Sequence, residues 1–142
     1  MKQQNTNVPT VNFKNPSSVA PPRGYSHAAV IDLGSCEMIV LSGQVPLDKN
    51  GTLVGDGDFG KQSEQVLLNI KNILSELGGT MDHIIRLGIY TTDVSQMQAF
   101  RDVRDKFINV KLPPTSTLVE VTKLFRGDVF IEVEATAIIP KG

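Results

Sequence analysis

The chain's strongest constraint lies near its end, in Asp128-Val-Phe-Ile-Glu-Val-Glu-Ala-Thr-Ala-Ile-Ile139. Its odd positions, Val129, Ile131, Val133, Ala135, Ala137 and Ile139, are all apolar. Its even positions are Phe130, Glu132, Glu134, Thr136 and Ile138. Side chains alternate across a strand, so one face is pure core and the other mixes apolar groups with two carboxylates. The same alternation precedes it, with Val119 and Val121 on the core face and Ser116, Leu118, Glu120 and Thr122 on the other. The two runs read as a final hairpin joined by a tight turn. The second face is too apolar for open water and too acidic for a simple core. It points to a subunit interface with a polar site let into it.

Upstream, residues 1–8 are polar and read as disordered, and 15–24 are Pro- and Ser-rich and irregular. Strand-like runs at 25–33 and 37–41 flank the turn Gly34-Ser35-Cys36, a hairpin signature. Residues 44–57 read as loop. Asp58 caps an expected helix running to about Leu77, where Gly78-Gly79 stops it. Residues 84–91 read as a strand and 95–108 as a second helix, with Met97, Phe100, Val103 and Phe107 on one stripe. Pro113-Pro114 breaks the chain before the last strands. The order predicts an α+β two-layer sandwich: a mixed sheet of about six strands, with two helices on one face. Residues 1–12 are expected to form a flexible tail and 13–142 a single domain. The far face, assigned Leu118, Phe130 and Ile138, has no cover in the chain. Burying a Phe or Leu contributes roughly 1.5–3 kcal/mol, so self-association is expected.

Charge and composition exclude several function classes. The net charge is −1 and no basic stripe is visible, so nothing favours nucleic acid or an anionic membrane. No apolar run approaches the roughly 20 residues of a membrane span, and the first residues lack the apolar stretch of a signal peptide. The one cysteine, Cys36, forms no intrachain disulfide and suits a reducing compartment. A soluble cytoplasmic protein is expected. Two distant histidines and one cysteine make no zinc site. No metal and no cofactor are expected.

Four segments carry a family resemblance: Gly24-Tyr-Ser-His-Ala28, Ser42-Gly-Gln-Val-Pro46, the run Pro114 to Leu124, and Ile131-Glu-Val-Glu-Ala135. Together they resemble the RidA/YjgF family, the reactive intermediate deaminases, over residues 25–139. The resemblance implies a homotrimer with clefts between subunits. It also implies hydrolytic deamination of amino-acid-derived enamines and imines without metal or cofactor. The pattern departs at one place. Deaminating members carry a substrate-gripping arginine two residues after the motif proline, where this chain has Ser116. A serine hydroxyl cannot form a bidentate charged clamp. The family's asparagine on the second helix is replaced by Arg101, which offers a guanidinium from another direction.

By this resemblance Glu132 is the catalytic candidate, orienting water for attack on a C=N carbon. Tyr25 matches the cleft tyrosine, and Gly43 either presents its N–H to a ligand or permits a tight strand end. Glu120 shares the expected face of Glu132. If the hairpin sets the two opposite, one pKa rises; otherwise Glu120 pairs with Lys123 or a neighbouring subunit. His27 reads as a packed histidine, and Cys36 as a bystander thiol in a turn. Two function classes follow. One is a cofactor-independent hydrolase of a reactive enamine or imine with altered substrate preference. The other is a non-catalytic binder or sensor of small metabolites on the same trimer. Ser116 separates them.

Overall fold

The computed structural model describes residues 10–142. One mixed sheet runs in the order β1-β2-β3-β6-β4-β5. Its strands are β1 (Thr10–Lys14), β2 (Ala28–Asp32), β3 (Cys36–Gln44), β4 (Ile84–Thr91), β5 (Thr115–Glu120) and β6 (Ile131–Pro140). Two helices, α1 (Phe59–Glu76) and α2 (Met97–Arg104), provide the second layer. The fold is therefore the expected α+β sandwich. The expected tail boundary at residue 12 falls inside β1, which pairs antiparallel with β2; residues 1–9 lie outside the described set.

Helix α1 forms where the sequence signals it. Asp58 caps it through a 3.0 Å bond from the Lys61 N–H. Val66, Leu67, Ile70, Ile73 and Leu74 recur at helical spacing and are completely buried. At the other end Gly78 adopts a φ of 88°, and the N–H groups of Gly78 and Gly79 donate back to Ser75 and Leu74. Only glycine holds that left-handed turn cheaply. Against the helices lie Ile39, Leu87, Ile89, Ile131, Val133, Ala135 and Ala137 from the three central strands. Helix α2 is shorter than the expected 95–108, because a 3-10 turn (Val94–Gln96) precedes it and turns follow it.

The final hairpin is not formed. β6 pairs antiparallel with β3 and β4, while β5 pairs parallel with the far edge of β4. Residues 121–130 are a crossing connection, not a tight turn. Each end of it is fastened to β4 or to the segment just after it: Val121 N–H donates to Thr91 O (2.8 Å) and Thr92 N–H donates to Phe130 O (3.0 Å). Parallel pairing of β4 with β5 needs a crossover, and α2 provides it.

That topology also reverses the face of β5. Ser116, Leu118 and Glu120 pair with Leu87, Ile89 and Thr91, whose side chains face the helices. Val119, expected in the core, instead pairs with Tyr90 on the open face and is 41% exposed. Phe130 is likewise not on the open face: its ring stacks on Phe59 at 6.5 Å, against the core. The open face takes its apolar character from Val11, Phe13, Ala29, Ile31, Met38, Val40, Val119 and Ile138. Phe13 is 68% exposed there.

Candidate functional site

A cavity of about 880 Å³ opens beside the end of β3. One wall is the segment 19–27, with Tyr25 and His27. A second is Ser42, Gly43 and Gln44 at the end of β3. Asn50, Gly51, Phe125, Arg126 and Glu132 complete it.

Buried polar groups fix these walls. His27 Nε2 donates to Ala20 O at 2.6 Å, and its Nδ1 accepts from Gln44 Nε2 at 3.2 Å. Both ring nitrogens are thereby occupied, so His27 clamps the 19–27 wall to β3 as a packed histidine. Tyr25 stands edge-on to it, with ring centroids 5.6 Å apart. Asn69 Nδ2 on α1 donates to Val45 O and Leu47 O at 3.0 and 2.9 Å, tying down the loop after β3. Gln62, fully buried, donates to Gly55 O and Asp128 O and accepts from Phe130 N–H. This single side chain holds the entrance to β6, and thus the position of Glu132.

Glu132 faces Gly43 across the cavity floor. A Cβ on residue 43 would overlap the Glu132 carboxylate, with the carboxyl carbon only 2.8 Å away. A side chain at 43 would therefore force the Glu132 side chain to move. Among the described residues no donor hydrogen-bonds to the Glu132 carboxylate. Burial, followed by repulsion from Glu134, pushes its pKa above the ordinary value of 4.5. The neighbouring acid is thus Glu134, not Glu120. Glu134 is itself held by Tyr90 Oη–H at 3.2 Å and Arg86 Nη1 at 3.3 Å. Its carboxylate lies over Gly88, where a side chain would collide with it.

The structure brings Tyr25, Gly43 and Glu132 into one cavity. It places Ser116, Glu120 and Arg101 elsewhere in the chain. Ser116 is exposed on the edge strand, two strands from Glu132 and on the opposite face by register. Glu120 accepts from the Val94 N–H at 3.0 Å and so stabilises the turn leading into α2; it meets neither Glu132 nor Lys123. Arg101 is exposed on α2. The sequence reasoning did not single out Arg126, which lines the cavity with its guanidinium bound to Asp128. An arginine in a loop carries no periodic signal. Among the described residues no group of three His, Cys, Asp or Glu side chains converges on a metal site. Among the described residues no helix is long and apolar enough to cross a membrane.

A half-open, carboxylate-bearing cavity beside a six-stranded sheet with two helices on one face places the chain among α+β two-layer sandwich proteins with a concave polar site. Comparison with known proteins makes the assignment narrower. The Endoribonuclease L-PSP family model matches residues 16–139. Protein HMF1 of Saccharomyces cerevisiae is 34% identical over 121 residues, covering 85% of this chain and 88% of HMF1. The crystal structure of the E. coli YjgF gene product superposes with a TM-score of 0.76 at 26% identity, covering 89% of this chain and 98% of that one. E. coli TdcF, solved with bound serine, gives a TM-score of 0.74 at 26% identity, covering 91% and 98%. The chain belongs to the RidA/YjgF family.

Proposed function

We propose that this protein is a homotrimer that binds small metabolites in clefts built on the Glu132 cavity. There it hydrolyses a reactive enamine or imine to a carbonyl compound and ammonia. The observation that carries this reading is Glu132: partly buried, without a protein donor, with a raised pKa, and facing a cavity large enough for a metabolite. TdcF holds serine on the same fold, which supports a small amino-acid-like ligand.

The chemistry needs no cofactor. The enamine tautomerises to the imine. Water held by the Glu132 carboxylate attacks the C=N carbon while its proton passes to the carboxylate. The same proton is returned to the nitrogen of the carbinolamine. The hydroxyl proton then passes through the same carboxylate to the nitrogen as the C–N bond breaks, so that neutral ammonia leaves and the carbonyl forms. A carboxyl with a raised pKa accepts and returns a proton near neutrality more readily than an ordinary one.

Ser116 favours a second reading, a binder or sensor without turnover, because the family's carboxylate clamp is missing from β5. The deciding experiment measures ammonia release from 2-aminoacrylate generated in situ, using wild type and Glu132→Gln. The hydrolase reading expects acceleration by wild type that Glu132→Gln abolishes. Equal rates with and without protein, together with stabilisation by ligands, would leave the binder.

A further inference from the structure

The charge that β5 lacks has a structural counterpart across the cavity. Arg126 donates from Nε to Asp128 Oδ1 at 2.9 Å and from Nη2 to Asp128 Oδ2 at 2.7 Å. That side-on pairing engages two of the five N–H groups of a guanidinium. Both hydrogens on Nη1 and the outer one on Nη2 remain, and they form an end-on fork that matches a second carboxylate. The guanidinium carbon also lies 5.8 Å from the centre of the Phe125 ring, which limits its swing. Asp128 is anchored in turn, since its carbonyl accepts from buried Gln62 at 2.8 Å. An arginine on a mobile stem loses rotamer freedom when it grips an anion; one already oriented loses less.

Arg23 lines the same cavity and makes no ion pair among the described residues. The two guanidiniums and Asp128 leave one net positive charge on the rim. A carboxylate bound there lies in the cavity that Glu132 also lines.

We propose that Arg126, oriented by Asp128, is the anion anchor of the Glu132 cavity, so that the ligands of this protein are small monocarboxylates despite Ser116. The inference deepens the metabolite-binding reading and rests on it. Arg126 touches the ligand, and Asp128 is a positioning residue.

The test is a calorimetric or NMR titration of the full-length protein with pyruvate and with its neutral isostere pyruvamide. Wild type should prefer pyruvate by about tenfold or more, the discrimination expected of a charge-assisted fork. Arg126→Gln should erase that preference, weakening pyruvate binding by about tenfold or more relative to pyruvamide. Asp128→Asn separates orientation from simple charge. Removing a negative charge would tighten pyruvate binding if Asp128 acted only electrostatically, whereas loss of orientation weakens it. Arg126→Gln binding pyruvate as wild type does, or wild type binding both compounds equally, would overturn the anchor alone. Wild type binding neither compound would overturn the metabolite site, and the anchor with it.

Discussion

Glu132 places the function of this chain against its stability. Its folded-state pKa lies above the ordinary 4.5, chiefly through burial. The folded protein therefore holds that proton more tightly than the unfolded chain. The resulting stabilisation is complete below about pH 4.5 and is lost as the pH rises through the raised folded value. At neutral pH the buried charge is a net cost. Glu132→Gln should melt higher than wild type at pH 7, and the gain should vanish near pH 4. Calorimetric scans at the two pH values check both halves. Gly43 is the complementary case. Gly43→Ala pushes a methyl into the carboxylate, and on the proposed hydrolase reading an ångström's displacement of that group costs on the order of a hundredfold in rate. The fold should persist with a loss of about 1–3 kcal/mol. Steady-state kinetics beside a urea melt distinguish misplacement from unfolding. That Tyr25, Gly43 and Glu132 share one cavity was legible because each sits in a recognisable local motif. Arg126 was not, because its value comes from Asp128 and Phe125, which only the folded loop brings around it.

At the scale of elements, alternation and composition determine what each segment is more firmly than which segment it joins. The 84–91 strand and α1 were legible almost to the residue, since capping, glycine stops and periodicity all act locally. The β5–β6 hairpin was misread for a physical reason. Alternation shows that a strand has two faces but not which neighbour supplies its hydrogen bonds. Inserting β4 between the two strands reverses the face that β5 offers. Phe130 was misplaced with it, since strand parity was extended past the point where the chain enters β6. What sets that entry is Gln62, a polar residue on the buried face of α1. Removing its side chain leaves the Phe130 N–H and the Asp128 carbonyl without a partner, while Gly55 O keeps the Asp58 N–H. Each buried orphan costs about 1–3 kcal/mol, so Gln62→Ala should destabilise by about 2 kcal/mol or more. A lower urea midpoint with an unchanged slope is the expected signature.

At the scale of the whole molecule, the open sheet face is the feature that isolation cannot explain. Val11, Phe13, Val40 and Val119 are each substantially exposed in the single chain. Val40 lies within this face, on β3 between Ala29 and Thr136. The trimer reading expects a solution mass of three times 15.5 kDa for wild type. A buried unpaired carboxylate costs several kcal/mol, so Val40→Glu should shift the mass toward one chain. Light scattering across a dilution series tests both. The same scale governs Ser116. It lies on an edge strand, away from the cavity of its own chain, so Ser116→Arg can add carboxylate affinity only across a subunit boundary. A gain in pyruvate binding should appear in the assembled protein and be absent when Val40→Glu is combined with it.

The close fit of Gly43 to Glu132 also bears on how such a protein can diversify. The carboxylate is set in the sheet, and a side chain at residue 43 would displace it, so variation at this corner disturbs the carboxylate directly. The opposite rim is built from the exposed loop positions Arg23, Tyr25, Phe125 and Arg126, outside the hydrophobic core. Substitutions there can change the shape and charge offered to a ligand while leaving the sandwich intact. On the proposed reading, the carboxylate corner and the ligand-selecting rim are thereby physically separable, and an arginine lost from a strand can be replaced by one in a loop without rebuilding that corner.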